Sequence, residues 1–331
     1  MGPYVESAVN ADYPPVSPRV SVIITTCARP HLVGRAVSSA LAQSLRDIEV
    51  IVVLDGPDPV TLATLQSMND ARLRLHVREI GRGQPAAINS GVQLAQGTWT
   101  ALLDDDDEWM PEKLEAQLRI AQSSACSSPV VGCRFLARSD SGDALWPLRS
   151  PERDERICEY LFCRSKLTFG EGILPTSVLF ARTELFRRFP MAEELRKHCD
   201  LDWLLRVDQH PGVRLEMPAE RAPLAIWQNQ PGRHRLSNVH DWRFSYQWMV
   251  RSRQMVTPRA YAGFLLTWVS FSARSQRDFS AIAILLKDAF RNGRPGALEL
   301  AVYAAVWCFP LDFRARVSRL ITGLGKSGDS R

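Results

Sequence analysis

The sequence predicts an α/β protein in which a mostly parallel sheet is flanked by helices and followed by an α-helical C-terminal extension. Three observations predict it. Apolar β-branched runs alternate with amphipathic stretches as β-α-β-α-β-α-β between residues 20 and 103, the order of a parallel sheet with right-handed crossovers. The first run, residues 20–24, is β-branched, as is typical of a buried parallel strand. From residue 239 onward only helical periodicity remains.

The elements follow in order. Residues 1–18 are polar and proline-rich, and read as a flexible lead. They lack the basic start and apolar core of a signal peptide. Gly2 suggests myristoylation, but Glu6 stands where Ser or Thr is wanted. Residues 20–24 (VSVII) form the first strand and break at Thr25-Thr26-Cys27-Ala28-Arg29-Pro30. Leu32, Ala36, Val37, Ala40 and Leu41 place a helix over 31–43. Residues 48–54 make a second strand ending at Asp55-Gly56-Pro57, then a helix fits 58–68 and a strand 73–77. Gly81-Arg82-Gly83-Gln84 precedes a helix over 85–95, and the strand at 98–103 follows.

That strand runs into Asp104, Asp105, Asp106 and Asp107, and Pro111 then opens a helix over 111–122. A helix start needs one or two carboxylates, not four. Adjacent like charges repel unless a cation neutralises them, and oxygen ligands of this kind suit Mg²⁺ or Mn²⁺. A calcium-binding EF-hand loop is excluded, because Trp109 stands at the position that requires glycine. The carboxyl edge of an open parallel sheet is where ligands bind. Thr25, Thr26, Asp55 and the four aspartates all fall on that edge. Gly81–Ala86 formally matches a dinucleotide fingerprint, but it does not follow the first strand. Its glycines fit a close backbone approach, and Arg82 can meet a phosphate.

Past residue 122 the alternation ends. Residues 129–137 and 144–148 flank a turn-rich link and read as a hairpin; 154–164 read as a helix, 173–181 as a strand, 200–206 as a helix start and 222–228 as a strand. A loop at 229–237 carries Arg233, His234 and Arg235. Helices are expected over 239–256, 258–275, 277–291 and 296–322. Residues 298–311 are strongly apolar and precede Arg314, Arg316 and Arg319, which fits a helix at a membrane surface. A buried helix in a small bundle fits slightly better.

The bounds agree. The chain has 331 residues, 45% hydrophobic and 23% charged, enough for one large domain with or without a smaller one. A net charge of +5 is too mild to indicate nucleic acid, and no nucleic-acid partner is expected. Seven scattered cysteines point to a reducing compartment. No run of 18 apolar residues predicts a membrane-spanning helix.

These residues resemble the family 2 glycosyltransferases with the GT-A fold. That family begins V-S-V-I-I-P-T-Y-N-R and continues into S-x-L-x-Q; this chain has Val20-Ser21-Val22-Ile23-Ile24-Thr25-Thr26-Cys27-Ala28-Arg29, then Ser39-Ala40-Leu41-Ala42-Gln43. The family's D-D-G-S is matched by Leu54-Asp55-Gly56-Pro57, and its A-R-N-x-G by Ala87-Ile88-Asn89-Ser90-Gly91. Its L-D-x-D-D-x-W-x-P-x-K-L is met nearly throughout by residues 103–114, and its E-D-x-D-x-W/L-x-R by Asp200-Leu201-Asp202-Trp203 and Arg206. The chain departs from the family at Leu54, Cys27, Ala28, Ile88 and Cys199, which stands where a glutamate usually precedes the base.

The resemblance implies a GT-A type Rossmann-like sheet, with a glycosyltransferase domain over 19–240 and a helical region over 241–331. It implies an inverting sugar transfer from a nucleotide-sugar donor, UDP-linked, to a hydroxyl of a glycan or lipid-linked acceptor. The setting would be polysaccharide or cell-envelope glycan synthesis, in the cytoplasm or at the inner face of the plasma membrane. Thr26, Arg29, Asp55, Arg82, Asn89, Asp104 and Asp105 would bind the donor. Asp106 and Asp104 would hold Mn²⁺ or Mg²⁺, with His234 assisting, and Asp200 would be the general base. Two other functions fit part of the pattern. One is a non-catalytic nucleotide- or glycan-binding homologue. The other is nucleotidyl transfer, which needs a glycine-rich loop after the first strand, and residues 25–30 contain no glycine.

Overall fold

The structure, a computed structural model, describes residues 18–140, 142–228 and 241–309. Strand β1 (Val20–Thr26) is fully buried and leads into α1 (Pro30–Leu41), whose first residue is a proline pre-set for a helix start. Then come β2 (Ile48–Leu54), α2 (Pro59–Gln66), β3 (Leu73–Val77), α3 (Gln84–Leu94), β4 (Trp99–Asp104), a two-residue β5 (Glu108–Trp109) and α4 (Lys113–Ser123). The Asp58 carboxylate caps α2 by accepting from the Thr61 amide at 3.1 Å.

Next in the chain are β6 (Ser128–Val131), β7 (Phe135–Ser139), β8 (Gly142–Trp146) and α5 (Ile157–Phe162). A 3₁₀ turn (Thr176–Val178) precedes β9 (Phe180–Arg182), α6 (Thr183–Arg188), α7 (Cys199–Val207), β10 (Val213–Glu216) and β11 (Ala225–Gln228). Seven strands form one sheet in the order β10-β6-β9-β4-β1-β2-β3. Only β9 runs antiparallel to its neighbours. A second sheet orders β5-β11-β7-β8. The α/β class with a mostly parallel sheet is therefore as the alternation of the sequence requires.

Register fixes the site. Thr25 pairs with Asp104 across β1 and β4, and Thr26 pairs with Leu54 across β1 and β2. The three strands end level, so Thr26, Asp55 and the aspartates after β4 share one edge.

Several expectations change. The hairpin forms between β7 and β8, while 128–131 leave it as β6 and join the large sheet. The chain changes sheets at Gly132, where a Cβ would come 2.9 Å from the Leu174 side chain. The strand expected over 173–181 shortens to β9. Pro175 has no amide to donate, and Val178 and Leu179 turn back onto the Pro175 and Thr176 carbonyls, each at 3.0 Å. Helix α6 and the short strands β5 and β10 carry too little periodicity to be read from sequence.

The core beneath the late part of the sheet centres on Trp203. It is fully buried and stacks on Phe186 with ring centroids 4.3 Å apart. Trp203→Ala is expected to lower unfolding stability by about 3–5 kcal/mol in urea, the usual range for removing a buried aromatic. A loss under ~1 kcal/mol would show that the stack is not a core contact.

Among the described residues, two compact units form. The first holds both sheets: the chain up to Asp154, resumed at Leu174. The second takes Glu155–Ile173 with the described residues after 240. It contains α5, α8 (Trp242–Arg251), α9 (Pro258–Gly263), α10 (Ser270–Ser275), α11 (Ala281–Asn292) and α12 (Ala297–Cys308). A stretch of wider helical turns, Phe264–Val269, links α9 to α10 without a break. Phe264 packs edge-on to Phe162 at 4.9 Å and to Trp248 at 5.4 Å. Helix α12 buries Glu299, Val302, Tyr303 and Val306 within this unit and leaves Ala301 and Ala304 exposed. The arginines expected to follow it lie outside the described residues. No described helix is long and apolar enough to cross a membrane.

Candidate active site

Strand β4 delivers Asp104–Asp107 to the carboxyl edge of the large sheet. The turn after it aims successive carboxylates in different directions. Asp105 points toward the end of β1. Its Oδ2 accepts from the Thr26 hydroxyl at 2.7 Å, and its Oδ1 takes the Arg29 guanidinium at 3.1 Å. Burial pushes the Asp105 carboxyl above its ordinary range; Arg29 and Thr26 pull it back, and neighbouring Asp106 pushes it up again.

Asp104, Asp106 and Asp107 face together, each offering one oxygen within 4.8 Å of the others. Asp106 and Asp107 are 5% and 1% exposed. The Arg29 guanidinium lies 3.9 Å from Asp106. Three converging carboxylates, all oxygen donors, suit a divalent hard cation. Asp104 also takes the Gln84 amide at 2.6 Å. Asp107 ties the site to the second sheet by accepting from the Ser177 hydroxyl at 2.6 Å and from the Gln228 amide N–H at 3.0 Å. Ser177 also receives the Asp104 amide at 3.1 Å, and its carbonyl accepts from the Trp109 indole at 2.8 Å. Lys113 lies fully buried 3.8 Å over the Trp109 ring. Desolvation lowers its pKa to about 8.

Asp55 at the end of β2 holds the Gly81–Gly83 loop. Its Oδ1 accepts from the Arg78 guanidinium and from the Arg82 amide at 3.1 Å; its Oδ2 accepts from the Gly83 amide at 2.7 Å. The expected partner of a base thus organises the loop at the start of α3. The Arg82 side chain itself is exposed. Gly81 is required by close approach, since a Cβ there would lie 2.7 Å from the Asp55 carbonyl oxygen. Gly81→Ala is expected to weaken nucleotide binding about tenfold and to lower stability, because the loop or the Asp55 backbone must shift to admit the Cβ. Isothermal titration and urea unfolding together check this. Unchanged affinity would mean that the loop takes no part in binding.

Asn89, expected to bind the donor, is engaged with the segment before α7. Its amide donates to the Met191 carbonyl at 2.9 Å, and its oxygen accepts the Met191 amide at 2.8 Å. It pins the segment leading to α7, which Arg206 also holds through the Pro190 carbonyl at 2.7 Å. His198 precedes α7 in the left-handed conformation, φ 67°. Burial keeps its ring neutral, with a pKa lowered to about 3. In the first turn of α7, the Asp200 Oδ1 accepts the Leu201 amide at 2.8 Å. Desolvation raises the Asp200 carboxyl above the ordinary carboxylate range, and the backbone hydrogen bonds oppose it. Burial pushes the neighbouring Cys199 thiol up, and the charges of Asp200 and Asp104 push it further. Asp202 is engaged with Arg206 at 2.7 Å.

Ser177, Gln84, Arg78 and Gln228 escaped sequence reasoning. None stands in a pattern that marks it, and each acts through a tertiary contact. Leu54, where the family's first aspartate would stand, is 1% exposed and belongs to the core. His234 lies outside the described residues.

A mostly parallel sheet with an acidic cluster at its carboxyl edge, followed by the Asp200 and Asp202 carboxylates on α7, is the arrangement expected of a GT-A type fold. The sequence profile of Glycosyl transferase family 2 matches residues 21–190, and the chain belongs to that family. An uncharacterized glycosyltransferase of Rickettsia prowazekii (strain Madrid E) is 30% identical over 173 residues, 51% of this chain and 54% of that protein. The succinoglycan biosynthesis protein ExoO of Rhizobium meliloti (strain 1021) is 33% identical over 34% of this chain and 32% of its own. The Escherichia coli protein WfgD, a UDP-Glc:alpha-D-GlcNAc-diphosphoundecaprenol beta-1,3-glucosyltransferase, is 31% identical over 30% of this chain and 39% of its own. The chain thus spans about half the length of these relatives, or less. In fold it is similar to S. aureus TarS 1–349 in complex with UDP-GlcNAc, with a TM-score of 0.61, 17% identity and 92% of each chain covered.

Proposed function

We propose that the protein is an inverting, metal-dependent transferase that moves a sugar from a UDP-linked donor to a hydroxyl of a glycan or lipid-linked acceptor, in polysaccharide or cell-envelope glycan synthesis. One observation carries the reading. Asp104, Asp106 and Asp107 converge at the carboxyl edge of the sheet, each offering one oxygen within 4.8 Å of the others. The nucleotides named for WfgD and TarS support UDP, and the ExoO and WfgD names support the setting.

In this reading Thr26 and Asp55 face the base and ribose, and Arg29 and Arg82 meet the diphosphate. Asp106 and Asp104 hold Mn²⁺ or Mg²⁺, which when bound offsets the charge of the leaving diphosphate. Asp200 takes the proton of the acceptor hydroxyl as that oxygen attacks the anomeric carbon. The new C–O bond forms opposite the breaking bond to the diphosphate, so configuration inverts. Asn89 acts as a positioning residue for the segment before α7. Acceptor choice resides in residues 130–200 and the helical region. The protein would work in the cytoplasm, at the inner face of the membrane.

Proton NMR of donor hydrolysis tests the stereochemistry. An α-linked UDP-sugar should first release the β-anomer of the free sugar, before mutarotation. First release of the α-anomer would contradict the proposal.

A further inference from the structure

A groove of about 630 Å³ opens on the helical unit between α8, α9 and α11. Four cations line it: Arg251 and Arg253 from α8 and the turn after it, and Lys287 and Arg291 from α11. One carboxylate, Asp288, lines it too, but it is already saturated. Its Oδ2 accepts from the Tyr246 and Tyr261 hydroxyls, each at 2.8 Å, and its Oδ1 accepts from the Asn292 amide. Burial and the Asp288 charge hold both phenols protonated, with Tyr246 pushed up to about 12. The charge of Asp288 is therefore met by neutral donors and not by the cations.

Arg253 is held in place, donating to the Asn292 carbonyl at 3.1 and 2.8 Å. Arg251, Lys287 and Arg291 are exposed and form no ion pair among the described residues. Lys287 and Arg291 sit four residues apart on one helix face, so their charges repel unless an anion lies between them. Guanidinium forks and an ammonium converging on one groove fit phosphate oxygens, which accept several charge-assisted hydrogen bonds at once. Val250 and Ile284, each 42% exposed, supply apolar surface beside the cations.

We propose that this groove binds a phosphate-bearing ligand, held by Arg251, Lys287 and Arg291 with Arg253 as a fixed fourth charge. The phosphate belongs either to a lipid headgroup or to a soluble diphosphate. The inference does not rest on the transferase reading, because none of these residues is assigned to the site at the sheet edge.

The test uses the full chain and the double variant Lys287→Glu/Arg291→Glu, with Arg251→Glu as a second variant on another helix. Flotation with phosphatidylcholine vesicles, with and without phosphatidylglycerol, reads the lipid source. Titration with inorganic pyrophosphate in the presence of EDTA reads the soluble source. Wild type should bind at least one of the two, and both variants should bind it at least about tenfold more weakly, with unchanged circular dichroism and UDP affinity. Binding to anionic vesicles alone assigns the lipid headgroup; binding to pyrophosphate alone assigns the soluble ligand. If wild type binds neither, or if folded variants bind as wild type does, the proposal is overturned.

Discussion

Asp106→Ala is expected to lower kcat by about 10²–10³-fold, the loss seen when one preorganised stabiliser of developing charge is removed. Asp106 is buried, 5% exposed, and converges with Asp104 and Asp107. Its loss removes one of the two proposed metal ligands while Asp107 stays anchored by Ser177 and Gln228. A binding readout accompanies the kinetic one. In wild type, Mn²⁺ should raise UDP affinity in isothermal titration, and in Asp106→Ala it should not. Turnover within about tenfold of wild type, with the metal effect intact, would remove Asp106 from the site.

Asp200→Asn is expected to lower kcat by about 10²–10⁴-fold, the range for losing a general base, with the donor KM changed little. The amide keeps the shape and retains an oxygen for the Leu201 N–H, so the fold should hold. The pH profile separates this role from a merely structural one. Burial raises the Asp200 carboxyl, and a base must be unprotonated to work. Wild-type kcat/KM should therefore fall as pH drops through a pKa above the ordinary carboxylate range. That acid limb should vanish in Asp200→Asn. An unchanged limb would assign the proton transfer to another group.

Much of this was legible in the chain, for identifiable reasons. Strands β2 and β3 fall at the residues their apolar runs mark, and β1 and β4 differ by a residue or two at their ends. Burial of β1, β2 and β4 on both faces leaves little choice of residue type there. Thr26, Arg29 and Asp104–Asp107 could be grouped because parallel strands bring their carboxyl ends to one edge. Sequence could not show how the charges divide. Asp105 turns to Thr26 and Arg29, Asp107 turns to Ser177 and Gln228, and Asp55 and Asn89 are taken up by backbone groups. Those partners lie tens of residues away and carry no local signal. Ser177 sits in a segment read as strand, whereas Pro175 and the pull of Asp107 make it a turn. The groove over α11 was equally hidden, because its cations alternate with ordinary helix residues and only the packing of α8 against them shows a shared face.

Release of nucleoside diphosphate from a panel of nucleotide-sugars, with and without Mn²⁺, tests metal-dependent transfer at the sheet edge. Wild type, Asp106→Ala and Asp200→Asn would be compared. Wild type should release nucleoside diphosphate from a UDP-sugar in a Mn²⁺-dependent way, and both variants should lose that release. Release that is equal without metal, or equal in Asp106→Ala, would contradict metal-dependent transfer there.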